Sequence, residues 1–132
     1  MRRLLAGLLI TAASCSVTFA QVLTLTRTAV SGMDSLLAHE HAWDRNCNAR
    51  ETKITITKKP QHGAVSIVQG ASTIPDSVPR TGNTGPCAGK TITGNEVLYK
   101  SADGFHGMDS LSYVVQYPDG QRSPTTITIT VN

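Results

Sequence analysis

Strict alternation of isoleucine with threonine constrains this chain more than any other feature. In Ile54-Thr55-Ile56-Thr57, and again in Ile127-Thr128-Ile129-Thr130-Val131, apolar side chains take every second position. An extended strand sends alternate side chains to opposite faces, so each run reads as a strand with one face buried and one face wet. Threonine's branched Cβ suits that half-exposed pleated setting. Leu111, Tyr113, Val115 and Tyr117 repeat the period, while Val114 makes the second face partly apolar, which predicts a central strand. Shorter strands are expected over 64–69 and 96–100, with an amino-terminal one over 22–28. Residues 35–41 fit either a short strand or a helical turn.

The connections carry turn chemistry. Pro60-Gln61-His62-Gly63 separates two strands closely enough for a hairpin, and Pro118-Asp119-Gly120 separates the last two. Between Gly70 and Gly94 stand Pro75, Pro79, Pro86, Gly82, Gly85 and Gly89, and no regular element of any length fits among them. A loop this long needs pinning, and Cys87 can tie it to the segment around Cys47. About seven short strands with turns between them make an all-β chain, with the pattern of an antiparallel β-sandwich.

The first 20 residues read differently. Arg2 and Arg3 form a positive region, residues 4–13 an apolar core, and Thr18-Phe19-Ala20 places small residues where a signal peptidase reads them. This is the pattern of a secretory signal peptide over 1–20, leaving 21–132 as the folded domain. The apolar run is about half of the roughly 20 residues that a transmembrane helix needs. Ala12-Ala13-Ser14-Cys15 loosely resembles a lipobox, but Ala12 stands where that motif prefers a branched residue, so a lipid anchor at Cys15 is not the expected processing.

Cleavage after Ala20 removes Arg2, Arg3 and Cys15. Ten basic side chains then face nine acidic ones, and a near-neutral surface gives no reason to expect nucleic acid or an anionic membrane as partner. Cys47 and Cys87 remain as an even pair in an exported protein, where a disulfide is expected. Their spacing is not the Cys-x-x-Cys of a redox or metal-binding pair.

Pro60-Gln61-His62-Gly63-Ala64-Val65, then Val97-Leu98-Tyr99, then Gly104-Phe105-His106-Gly107-Met108-Asp109-Ser110-Leu111-Ser112-Tyr113 appear in a familiar order. The order resembles the bacterial immunoglobulin-like and cadherin-like (VCBS-type) repeat modules of secreted and surface proteins. The resemblance implies an immunoglobulin-like sandwich and structural roles for these residues. Gly63 and Gly107 would permit tight backbone paths, Phe105 and Leu111 would enter the core, and Tyr99 and Tyr113 would pack as large amphipathic side chains. Asp109 would bind backbone amides at a turn, and Pro60 and His62 belong to the same motif. The chain departs from the pattern at Lys100-Ser101, at Leu111 and in the long Cys87 loop, and it carries one copy where such modules usually come in arrays.

Chemistry-bearing motifs are sparse. His39 and His41, on one face if their segment is a strand, could chelate copper or zinc, and His62 and His106 are the remaining imidazoles. Four histidines are too few for a bridged two-metal dismutase site. Asp103, Asp109 and Asp119 are isolated carboxylates, each followed by Gly or Ser as turn-forming aspartates are, and do not form a calcium cluster. No Gly-x-Ser-x-Gly elbow, His-Glu-x-x-His helix or phosphate loop is present. The expectation is a secreted or periplasmic, non-enzymatic binding or structural module without a cofactor. Its partner would be an envelope protein or glycan, and a transition-metal binder using His39 and His41 is the alternative. The recognition surface is expected on the loop between Gly70 and Gly94.

Overall fold

A computed structural model describes residues 21–78 and 82–132. The signal expected over 1–20, with Cys15, lies outside the described residues, as does Pro79. Seven principal strands form two sheets: β1 (Leu23–Ala29), β2 (Asp34–Glu40), β5 (Lys53–Lys58), β6 (Gly63–Thr73), β9 (Thr91–Ser101), β10 (Gly107–Gln116) and β11 (Arg122–Val131). Two short ribbons join them, β3 (Ala42–Trp43) with β4 (Ala49–Arg50), and β7 (Ser77–Val78) with β8 (Gly82–Asn83). The four-stranded sheet runs β1-β11-β10-β5 and the three-stranded sheet β2-β9-β6. This is an all-β sandwich. The described pairings are antiparallel except that of β1, which lies parallel to β11 from Leu23↔Thr125 to Ala29↔Val131.

The alternation sets the layers. Leu111, Tyr113, Val115, Ile127, Ile129 and Val131 face inward and are buried, as do Val97 and Tyr99 from the opposite sheet. Outward positions carry hydroxyls in register: Thr24 beside Thr126, Thr26 beside Thr128, Thr28 beside Thr130, with Ser112 bonded to Thr126 at 2.9 Å. Strand β10 is central, between β11 and β5. Residues 35–41 resolve as strand β2 over Asp34–Glu40, with a bulge between Leu36 and Ala38. The bulge turns both Leu37 and Ala38 into the core.

Two expectations about connections change. Pro60-Gln61-His62-Gly63 joins β5 to β6, which lie in different sheets, so it is a crossover between layers and not a hairpin turn. The stretch between Gly70 and Gly94 is not all loop, because β6 and β9 stay paired past both glycines to Thr73↔Thr91. Gly70 and Gly94 are opposite one another in that ladder, and a Cβ on Gly94 would overlap the His41 ring. They are close-approach glycines inside strands.

The crossover is held by Asp109 on β10. Its carboxylate accepts from the amides of Gln61 and His62 at 2.9 Å each and of Ser110 at 2.8 Å, and from the Tyr99 hydroxyl at 2.9 Å. Tyr99 stands on the other sheet, so one side chain ties both layers and the connection between them. His62 stacks on Phe105 with ring centroids 4.2 Å apart. A side chain at Gly63 would collide with the Lys100 carbonyl and the Tyr99 ring.

Burial pushes the Asp109 carboxyl up, but its four donors outweigh that effect and hold it below its ordinary value. A carboxyl depressed in the fold stabilises fully above its unfolded value of about 4 and loses that contribution as pH falls through the lower folded-state value. Asp109→Asn should therefore lower stability near pH 7 by about 1–3 kcal/mol and shrink the loss on acidification, read by urea unfolding across pH 2–7.

Candidate functional site

At the end of the sandwich away from the Asp109 crossover lie the two short ribbons. Cys47 and Cys87 are bonded there, with Cα atoms 5.3 Å apart and a sequence separation of 40. Cys87 ends a single 3₁₀ turn, Gly85–Cys87, and is buried with Ile74 and Ile92 against Trp43. This is a second, smaller core. Asp44 shapes the segment before Cys47: its Oδ1 accepts from the amides of Asn46 at 2.9 Å and Asn48 at 3.0 Å, while Cys47 takes the left-handed conformation at φ 64°. Those amides, Asn48 foremost, hold the Asp44 carboxyl below its ordinary value. On the other side, the Thr84 amide donates to the Asp76 carbonyl and the Gly89 amide to that of Ile74.

The pinned segment forms one wall of a groove of about 750 Å³. Pro75, Ser77 and Val78 line it from that segment, Leu23, Leu25 and Arg27 from β1, Trp43 from a ribbon, and Tyr117 and Gln121 from around the last turn. Its floor is polar. Glu40, at the end of β2, is buried and accepts from the Tyr113 hydroxyl at 2.6 Å and the Tyr117 hydroxyl at 3.4 Å. Beside it lie Ser123 and Thr125, both about 1% exposed. The Ser123 hydroxyl has no hydrogen-bond partner among the described residues. Burial, then the Glu40 carboxylate, push the Tyr113 hydroxyl far up, so it remains a donor across the accessible pH range.

A hydrogen-bonded chain braces this floor. Thr52 donates its hydroxyl to the Glu40 carbonyl at 2.9 Å, Asn95 donates to the Thr52 carbonyl at 2.7 Å, and Gln69 donates to Asn95. The chain links β6, β9, the start of β5 and β2. Arg27 adds a bond from its Nε to the Leu37 carbonyl at 2.7 Å, joining the two sheet edges along the groove wall.

His39 and His41 do share a face, with ring centroids 5.2 Å apart, and His39 Nδ1 lies 3.4 Å from Glu96. The structure does not bring His62 or His106 to them; both belong to the Asp109 end. Nε2 of His41 is buried against Gly94 without a partner among the described residues, and burial, then His39, hold that imidazole below its ordinary value. Among the described residues no group of three His, Cys, Asp or Glu is arranged to hold a metal ion. Asp119 caps the β10–β11 turn by accepting from the Gln121 amide, at the opposite end from Asp103 and Asp109.

Sequence reading missed Glu40, Tyr117, Ser123 and Thr125 as a site. The signal was present in β11, since counting back by twos from Ile127 places Thr125 and Ser123 on the inward face. Hydroxyls in apolar register mark where the dry core gives way to a polar floor. In comparisons with known proteins, no family model matches the chain, and neither a curated protein nor a solved structure matches it significantly. No helix among the described residues is long and apolar enough to cross a membrane.

The disulfide closes a loop for which chain entropy predicts about 4 kcal/mol of stabilisation. Reduction, or the paired change Cys47→Ser with Cys87→Ser, should lower unfolding free energy by about that amount in a denaturant titration. Tyr113→Phe removes the shorter donor to Glu40 and should cost about 1–3 kcal/mol in the same titration.

Proposed function

We propose that this protein is an exported, non-enzymatic immunoglobulin-like module, related to the bacterial cadherin-like repeats, that works by binding a protein or glycan of the cell envelope through the groove beside Trp43. The observation that carries the reading is the groove itself, whose one wall is restrained by Cys47 and Cys87. A covalently restrained wall loses less entropy on binding than a free loop does. The mixture of Trp43 and Tyr117 with Arg27, Glu40 and inward hydroxyls combines apolar area with oriented polar groups, as recognition sites do. A disulfide suits an oxidising compartment, which supports export to the periplasm or beyond. The alternative of a copper or zinc binder draws on the His39 and His41 pair, but two imidazoles without a third ligand favour the first reading.

A photo-reactive side chain tests the surface. Placed at Ser77 or Gln121 on the groove rim, it should give a discrete adduct in the native envelope, whereas the same group at Thr128 on the outer sheet face should not. Equal labelling from both faces, or none from the rim, would count against the groove.

A further inference from the structure

The four sheet edges differ in how they are protected. Strand β5 is six residues long, carries Lys53 and Lys58, and meets β10 through a bulge. Strand β2 has its own bulge, bears Asp34 and His39, and has its Leu37 carbonyl occupied by Arg27. Strand β1 is shielded by the same arginine, whose Nη1 donates to the Thr26 carbonyl at 2.9 Å. Charges, bulges and side-chain bonds of this sort block the addition of a foreign strand.

Strand β6 has neither charge nor bulge, and its side-chain bond to a strand carbonyl, Ser72 to Thr73 at 3.4 Å, lies at its last residue. It is eleven residues, Gly63–Thr73, with the sequence Gly-Ala-Val-Ser-Ile-Val-Gln-Gly-Ala-Ser-Thr, without a charge and without a proline. It pairs with β9 along one side over its whole length and with no other described strand. Alternate residues of an antiparallel edge strand turn both N–H and C=O outward, so β6 offers a ladder already laid out for a partner. Ile67 and Val68 at its middle are 36% and 38% exposed, large apolar side chains on opposite faces of the edge.

We propose that β6 pairs antiparallel with β6 of a second copy of this chain, on a two-fold axis at Val68. The strand suits itself. About that axis Val68 meets its own copy, Ile67 faces the Gln69 stem, Ser66 faces Gly70 and Val65 faces Ala71, so apolar contact on each face comes without a charged or bulky clash. No like charges meet, because the strand has none, and a chain with ten basic and nine acidic side chains after residue 20 presents little long-range repulsion to its copy. Pairing over 65–71 makes one six-stranded sheet from two three-stranded ones. It also uses up the edge, so assembly closes at the dimer. The groove is left open, since its part of β6 is Ser72 and Thr73, and loss of the groove's ligand and loss of the dimer are separately measurable.

Sedimentation of the disulfide-bonded chain from 1–132 after export, over a wide concentration range, should show a monomer–dimer equilibrium and no larger species. Val68→Lys sets two ammonium groups facing each other on the axis and should raise the dissociation constant at least about tenfold with unchanged circular dichroism. Should that variant misfold, Ile67→Lys serves in its place. Thr128→Lys on the other sheet should leave the equilibrium as it was. Val68→Cys should form a symmetric disulfide under mild oxidation. A chain that stays monomeric at every concentration overturns the proposal. So does a dimer indifferent to Val68→Lys, or a photo-reactive group at position 68 that captures a different protein and never a second copy.

Discussion

Two tyrosine–carboxylate bonds cross the interior in opposite directions, and the rest of the sandwich is arranged around them. Tyr99 rises from the three-stranded sheet to Asp109 on the four-stranded one, and Tyr113 rises from the four-stranded sheet to Glu40 on the three-stranded one. Both tyrosines are fully buried. Apolar packing between sheets is tolerant of sliding, because area is buried whatever the register. A buried carboxylate is less tolerant, since each donor lost leaves its charge less compensated, and for Asp109 and for Glu40 a tyrosine hydroxyl from the opposite sheet is among the donors. The two bonds therefore set how the sheets face one another, one near each end.

Each bond also organises what lies beyond it. Asp109 gathers the amides of the β5–β6 crossover, which settles how the chain passes between layers. Glu40 sits under the groove and passes its backbone carbonyl to Thr52, and through it to Asn95 and Gln69. The disulfide core then adds a cover to the Glu40 end. Structural and candidate binding groups are continuous there, so the bonds that hold the sandwich also hold the groove floor.

Much of the architecture was legible because alternation is a local signal. Ile54, Ile56, Ile127, Ile129 and Val131 declare their faces without knowledge of any partner strand. The errors fell where a residue type has two meanings. Gly70 and Gly94 read as loop punctuation, whereas they lie paired inside long strands to make room for Glu96 and His41. Pro60 to Gly63 has the chemistry of a tight turn, and nothing local says whether a turn returns to its own sheet or crosses to the other. The groove was the least legible part, since its lining comes from β1, β2, both ribbons and the β10–β11 turn. Such a site has no motif. Even so, the inward register of Ser123 and Thr125 was readable, and the bulge in β2 is what hid the matching placement of Glu40.

The parallel pairing of β1 with β11 carries a consequence for synthesis. The first of the described strands has as its sheet neighbour the last of them, over Thr125 to Val131. No earlier strand can stand in for it, because β1 has no other partner in its sheet. Cys47 and Cys87 both precede that point, and so do β6 and β9, whose eleven-residue pairing is the longest among the described strands. Sequence separation ranks the pairings: β6 with β9 needs only the middle of the chain, the β1–β11 pair needs residues 125–131, and the disulfide waits for an oxidising compartment. A chain halted before residue 125 lacks the strand partners of Leu23 and Leu25, which are Thr125 and Ile127.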